Sequence, residues 1–298
     1  MNMRKFDVIT MAEDIYIKPL IESVKRAQSL YPASRFYIYD CGLSEASKSL
    51  LEKIGDTVYI EQTCVEIFPI RLVYTKRRLL KRGLQLVGDS LVRIFNKDYG
   101  NPHIDLIFKQ QEFEMKIRNK LAIVQNHGLK ATAPFMFIDA DAFIIRPIDE
   151  LMGQQFDIGL TIRDGSLNYD YNYCRLLNVG VMFFFGTIDT NNRFIKEWVK
   201  WADKNKEAYT EQTSLSRMLL SYRSDIFTKN NETYPLQIDE ETIRVRILNS
   251  KEYNNVNTEA FLEEEGQTTR IIHFKNGRFN QPIYDRVIEK LNKYEHNK

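Results

Sequence analysis

The sequence predicts an α/β fold in which helices flank a mixed, mostly parallel central sheet. Two observations carry this expectation. The opening alternates strand and helix, with Phe6-Asp7-Val8-Ile9-Thr10-Met11, a helix after Asp14, Arg35-Phe36-Tyr37-Ile38-Tyr39-Asp40, a helix after Ser44, and a short strand from Thr57 to Ile60. Further on, the runs from Phe135 to Ile145 and from Val179 to Phe185 are almost wholly apolar with no polar face, the pattern of strands buried on both sides.

The first helix is read from Ile17, Leu20, Ile21, Val24, Ala27 and Leu30, which recur at helical spacing until Tyr31-Pro32 stops them. Ser44-Glu45-Ala46-Ser47 supplies capping chemistry for the second. This opening is a mononucleotide-binding half, in which ligands sit outside the C-terminal strand ends. No G-x-G-x-x-G follows the first strand, which argues against a dinucleotide. Between about 65 and 128 a helical insertion is expected. Leu80, Leu84, Val87, Leu91 and Ile94 form one stripe, beside the basic residues Arg71, Lys76, Arg77, Arg78, Lys81 and Arg82. Two readings fit that cluster: a solvated helix face, or a membrane-surface helix giving peripheral contact. The next stripe, Phe113, Ile117, Lys120, Leu121 and Val124, places Lys120 on an apolar face, where it either snorkels outward or reaches an anion at the sheet edge. Strands are expected near 156–161 and 179–185, helices over 191–203 and 211–220, strand-like pieces around Tyr234 and from Ile243 to Leu248, a solvated loop at Glu263-Glu264-Glu265, and a closing helix from Ile283 to Leu291.

With 298 residues, 43% of them hydrophobic and 12% aromatic, the chain can bury a sizeable core, which excludes wholesale disorder. A net charge of +2 is too balanced for nucleic acid as the main partner. Cys41, Cys64 and Cys174 are an odd number at unrelated spacings, as expected of reduced thiols in a cytoplasmic protein. Neither a secretory segment nor a membrane-spanning run is read in the chain. One domain over 1–298 is expected, with 1–141 as a nucleotide-binding half and 142–298 as a second half with a C-terminal segment.

Chemistry concentrates at Asp139-Ala140-Asp141. If that stretch is extended, side chains two apart point to one side, and both carboxylates leave the strand together. Such a pair at the edge of a dry core is costly unless a cation or a set of donors meets it, and oxygen ligands suit Mg²⁺ or Mn²⁺. The competing reading makes it a polar turn capping a short helix that starts at Pro147. Asn178 and Gly180 stand at the start of a central strand, where glycine admits close approach. The polar, aromatic stretch from Arg163 to Tyr173 suits sugar rings, and equally an ordinary exposed loop. His273, at the end of a short apolar strand, is structural or a ligand; Lys275, Gly277 and Arg278 beside it suit a pyrophosphate next to a metal.

Taken in order, the nucleotide half, the Asp-x-Asp strand, the Asn-x-Gly strand, the acid-Gln helix start at Glu211-Gln212 and the late His273-Phe274 turn resemble the GT-A glycosyltransferases. The nearest likeness is to the retaining group of glycogenin and the bacterial galactosyltransferases. The resemblance implies that Asp139, Asp141 and His273 hold Mn²⁺ or Mg²⁺ against a donor diphosphate, most simply that of a UDP-sugar. It implies that Thr10, Ala12, Asp14 and Tyr16 cradle the nucleoside, with Asp40 nearby at the end of the second strand, and that Arg118 or Lys120 contacts the donor. Asn178 and Gly180 would lie beside the sugar, Gln212 near the anomeric carbon after Glu211, and Lys275, Gly277 and Arg278 near the phosphates. The family's turn has glycine three residues after the histidine and lysine three further on, where this chain has Asn276 and Phe279. Retention of configuration is implied, with a glycan, glycolipid or glycoprotein as acceptor and with Gln212, Glu211 and Asp141 as the catalytic candidates; Asp164, Asp170 or Glu211 would be the base of an inverting alternative. A catalytically silent sugar- or nucleotide-binding protein of this fold is the non-enzyme alternative. A haloacid-dehalogenase-type phosphatase, which also uses Asp-x-Asp at a strand end, fits less well because Phe143 stands where Thr or Val is usual.

Overall fold

In a computed structural model of the protein, the described residues are 5–63, 118–163, 176–204, 210–263, 268–274 and 281–296. The apolar stripe over 80–94, the basic cluster, the aromatic stretch after Arg163, and Lys275, Gly277 and Arg278 lie outside them.

The strands are β1 (Asp7–Ala12), β2 (Arg35–Asp40), β3 (Val58–Gln62), β4 (Phe135–Ile138), β5 (Ala142–Ile144), β6 (Ile158–Ile162), β7 (Leu177–Phe184), β8 (Glu232–Ile238), β9 (Glu241–Asn249) and β10 (Ile271–His273). Eight of them form one sheet in the order β3-β2-β1-β4-β7-β6-β9-β8. β3, β2, β1 and β4 run parallel; β7 is antiparallel to both β4 and β6, and β6 pairs in parallel with β9. The strand-like pieces expected near Tyr234 and Ile243 are a full hairpin, β8 and β9, which turns at Asp239 with φ 54°.

Both sheet faces are covered, which is why the central strands read as unbroken apolar runs. Phe135 and Phe137 of β4 enter one core with Ile9, Leu160, Trp198 and Leu215. Met136 and Ile138 enter the opposite core with Val8, Leu20, Val24 and Phe183. The first core lies under the helical residues 118–130 and the helices Ile188–Lys204 and Thr210–Tyr222; the second lies under Ile17–Leu30 and Glu45–Glu52. Alternation breaks within β7. Leu177 and Val179 enter the same core as Met182 and Phe184, which strict alternation forbids. The register against β6 slips between Leu160 and Ile162 opposite this point, so the strand bulges around Gly180.

The single strand expected from Phe135 to Ile145 is two strands. β4 ends at Ile138, residues 139–141 turn, and β5 leaves the large sheet to pair antiparallel with β10. Helix Ile17–Leu30 holds the departing strand: Ser23 Oγ donates to Ala142 O at 2.7 Å and an Arg26 guanidinium N–H donates to Ile145 O at 3.1 Å. A third apolar cluster packs Phe143 and Ile145 against Ile272, Phe274, Tyr284 and Val287, docking the closing helix Gln281–His296. The short helix after Pro147 is Asp149–Met152 with Ile148 at its N-cap, so neither Asp139 nor Asp141 caps it. Helix Asp14–Tyr16 is a 3₁₀ turn leading into Ile17–Leu30. Thr258–Glu263, not expected from sequence, takes in the first of the three glutamates. Cys41 is half-buried; Cys64 and Cys174 lie outside the described residues. Among the described residues no helix is long and apolar enough to cross a membrane.

At the N-terminal edge of the parallel strands, Asp7 is held by both arms of Arg35 at 2.8 Å. His127 lies 3.8 Å from the same carboxylate, bonded through Nδ1 to Tyr39 Oη at 3.1 Å. Asp7 is already neutralised by Arg35, so burial decides: with Arg35 and Lys130 adding like-charge repulsion, His127 falls to about 4. Its unfolded value lies above its folded one, so protons favour the unfolded chain, and stability is lost as pH falls below about 6.5. Between pH 7.5 and pH 5 the wild type should lose about 2 kcal/mol more than His127→Gln. Urea unfolding at the two pH values measures this, and equal losses in both proteins would show that His127 is not the responsible group.

Candidate active site at the carboxyl edge of the sheet

The register aligns Ala12 with Asp40 and Ile9 with Phe137, so the ends of β1, β2 and β4 share one edge. The end of β6 and the start of β7 lie at that edge too, because β7 runs opposite to both neighbours. Asp139 follows β4 directly. Its N–H donates to Gly180 O at 2.8 Å, and its own carbonyl accepts from Ala142 N–H at 2.9 Å, closing the turn. The two carboxylates therefore converge through a turn and not along an extended strand; the expected geometry is wrong, while the convergence is real.

β10 brings His273 opposite Ala142, and Phe274 N–H donates to Asp141 O at 2.8 Å. His273 Nε2 then lies 3.1 Å from Asp141 Oδ1 and 3.6 Å from Asp139 Oδ2. Ligand atoms of the three residues all fall within 4.8 Å of one another. Two carboxylates and an imidazole, with Asp141 8% and His273 4% exposed, form a donor set that fits a divalent ion with mixed oxygen and nitrogen preference. Nothing larger than hydrogen fits at Gly180. A Cβ there would lie 2.4 Å from His273 Cε1 and 2.7 Å from Asp139 Oδ2.

Lys120 is the inward lysine that the helical stripe singled out, and it reaches an anion. Its Nζ lies 2.7 Å from Asp139 Oδ1 and 5.0 Å from the centre of the Phe137 ring. Burial pulls its pKa down, but Asp139, Glu211 and Asp141 together outweigh that and hold it above the ordinary lysine value. Arg118, half-buried at the start of the same helical stretch, is not the residue that meets Asp139. Tyr16 is also near: burial first, then the charges of Asp141, Glu13 and Asp139, push its phenol up to about 12.

Thr10 and Ala12 are buried at the end of β1. Thr10 Oγ1 has no hydrogen-bond partner among the described residues and lines a narrow gap that Asp139 also lines. Asp14 is exposed and accepts from Ser44 N–H at 2.8 Å; that bond, followed by the Ser47 hydroxyl, lowers its pKa. Asp40 accepts from Gly42 N–H and Leu43 N–H at 2.9 and 2.7 Å and pairs with Lys48 at 3.0 Å, so it shapes the loop after β2. On the far side, Trp198 Nε1 donates to Glu211 O at 3.0 Å and fixes the start of helix Thr210–Tyr222. Gln212 Nε2 donates to Glu211 Oε1 at 3.2 Å, and an Arg163 guanidinium N–H donates to Gln212 Oε1 at 2.9 Å. Arg163 closes β6, and its contact with Gln212 has no signal in sequence spacing. Nor does that of Asn254, fully buried, whose Oδ1 lies 2.9 Å from His273 Nδ1.

Residues 94–278 match the family model for nucleotide-diphospho-sugar transferases. No curated protein matches the chain. Among solved structures the chain is similar to the galactosyltransferase LgtC in complex with donor and acceptor sugar analogues, at 13% identity over 95% of this chain and 96% of that one, with TM-score 0.47. It is similar to the bifunctional glycosyltransferase WbbM at 12% identity over 98% of this chain and 50% of that one, with TM-score 0.52. The glycosyltransferase GlyE of Streptococcus pneumoniae TIGR4 is similar at 9% identity over 99% of this chain and 64% of that one, with TM-score 0.50. At such identities the likeness to WbbM and GlyE speaks for the fold. The family match reaches further, because it spans well over half of the chain and takes in Lys120, Asp139, Asp141, Asn178, Gln212 and His273. The phosphatase alternative falls with it, and the chain belongs to the nucleotide-diphospho-sugar transferases, glycosyltransferases of the GT-A fold.

Proposed function

We propose that the protein is a metal-dependent hexosyltransferase that moves a sugar, with retention, from a UDP-sugar to a carbohydrate-bearing acceptor: a glycan, glycolipid or glycoprotein. The observation that carries this reading is the meeting of Asp139, Asp141 and His273 beside Lys120 at the carboxyl edge of the sheet. The three would hold Mn²⁺ or Mg²⁺, which supplies electrostatic stabilisation to the departing diphosphate. Lys120 adds a fixed positive charge at the same place, and Arg118, Lys275, Gly277 and Arg278 are proposed to complete the phosphate contacts. Thr10, Ala12, Asp14, Tyr16 and Asp40 form the nucleoside side, and Asn178 and Gly180 the sugar side. The whole chain then works as one domain, with 1–141 serving the donor and 142–298 the acceptor.

Retention is favoured by the state of Glu211 and Gln212. An inverting enzyme needs a carboxylate base over the acceptor hydroxyl. Glu211 is only 2% exposed and accepts from Gln212, a poor posture for that task. Same-face attack asks instead for positioning around the anomeric centre, which Gln212, steadied by Arg163, would provide.

Asp139→Ala and Asp141→Ala should each lose Mn²⁺-dependent UDP binding in calorimetry while remaining folded, and His273→Ala should lose less. Unchanged affinity in either aspartate variant would refute the metal site. Lys120→Met should move two affinities in opposite directions. Mn²⁺ alone should bind several-fold tighter, because a like charge beside the ligands is gone; UDP in saturating Mn²⁺ should bind roughly tenfold weaker, on the order of 1 kcal/mol. A parallel shift of both would mean that Lys120 only supports the fold. Gly180→Ala should weaken Mn²⁺ binding at least tenfold and cost about 1–3 kcal/mol of stability, since its methyl must displace the His273 ring or the Asp139 carboxylate. Retained affinity would show that the turn relaxes freely.

A further inference from the structure

We infer that Asn254 is a positioning residue that fixes the protonation pattern of His273, keeping a proton on Nδ1 so that Nε2 alone faces Asp139 and Asp141. The inference rests on the proposed metal site and follows from hydrogen-bond bookkeeping in a fully buried group.

Asn254 is 0% exposed, Thr161 1%, His273 4% and Asn178 6%, so water is not at hand to substitute for a missing partner. Asn254 Nδ2 donates to Thr161 Oγ1 at 2.9 Å and to Asn178 O at 3.0 Å. Thr161 Oγ1 in turn donates its single proton to Asn178 O at 2.7 Å. Asn178 O is a carbonyl and can only accept. Rotating the Asn254 amide by half a turn would place its oxygen 3.0 Å from that carbonyl with no proton between them, so the orientation shown is forced. Asn254 Oδ1 must then face His273 Nδ1, at 2.9 Å, and it too can only accept. Nδ1 is therefore a donor whatever else the ring does. The remaining nitrogen, Nε2, points at the two carboxylates.

Three elements are locked together by this chain of bonds. Asn178 sits at the bulge of β7, Thr161 lies on β6 at the matching slip of the ladder, and Asn254 ends the short helix Ser250–Tyr253 after β9. The register slip gives the network its anchor, because side-chain donors of Thr161 and Asn254 both reach the Asn178 carbonyl there. Outer partners of this kind orient a metal-binding imidazole, and their loss costs roughly 10- to 100-fold in metal affinity.

Two substitutions separate positioning from simple support. Asn254→Leu keeps the branched heavy-atom skeleton, though bulkier, and leaves Nδ1–H without an acceptor. Asn254→Asp still accepts from Nδ1–H but turns a carboxylate toward the Asn178 carbonyl, which destabilises the fold. Long-range ¹⁵N correlation spectra of histidine-labelled protein, with the His273 signals assigned by their loss in His273→Gln, read the ring directly. The wild type should show Nδ1 protonated both without metal and with Mg²⁺, Asn254→Asp should keep that pattern, and Asn254→Leu should lose it. In Mn²⁺ titrations Asn254→Leu should bind at least tenfold weaker than wild type, with Asn254→Asp nearer wild type although less stable to heat. An unprotonated Nδ1 in the wild type, wild-type Mn²⁺ affinity in Asn254→Leu, or affinity losses that simply follow thermal stability would each overturn the assignment. Failure of the wild type to bind Mn²⁺ at all, with Nδ1 still protonated, would instead sink the metal-site reading and leave the histidine lock standing.

Discussion

Two carboxylates that cannot both face water and cannot both be left alone govern this edge of the molecule. Asp139 and Asp141 are brought together by the turn that ends β4, and the energy of that arrangement depends on positive charge or protons nearby. Lys120 meets Asp139 from the helical stretch over 118–130, and His273 meets both aspartates from β10. Each partner arrives on a different element, so the local charge balance is also a statement about tertiary assembly.

The sheet is bent to this purpose at two places. At the end of β4 the chain leaves the main ladder and starts a second, two-stranded sheet, whose only described partner is the strand carrying His273. On β7 a bulge turns Gly180 toward His273 and Asp139, where a missing side chain is what allows the approach. The remainder of the scaffold is conventional packing: apolar side chains from alternate positions of β4 feed two cores, and helices seal both. His127, at the opposite edge, illustrates the contrast. It is buried beside a carboxylate already satisfied by Arg35, so it stays neutral and serves the fold.

Family membership gives these features a common sense. A transferase acting on nucleotide-diphospho-sugars must hold a strongly negative donor at a place where the protein is itself negative, and it must do so without flooding the site with water. On the proposed reading, a pair of aspartates with an imidazole and a lysine alongside would answer both needs. The helix Thr210–Tyr222, pinned through Trp198, presents Glu211 and Gln212 to the same region from the other half of the chain.

Much of this was legible in the residues themselves. The apolar runs announced strands covered on both faces, the spacing of the first helix announced which side it buries, and Lys120 on an apolar stripe left two outcomes, an outward snorkel or an anion to be met, of which the second holds. Those readings succeed because burial and periodicity are properties of neighbouring residues. What the sequence could not decide is where a long apolar run breaks, since Ile138 and Ala142 are equally at home in one strand or two. Nor could it decide that Asn254 lies against His273, that Arg163 holds Gln212, or that β7 bulges at Gly180. The two side-chain contacts join residues 19 and 49 positions apart, and only the closing of the sheet brings them within hydrogen-bonding distance. Composition and period thus determined that an acidic site would sit at a strand end; three-dimensional packing alone decided which neutral side chain aims the histidine into it.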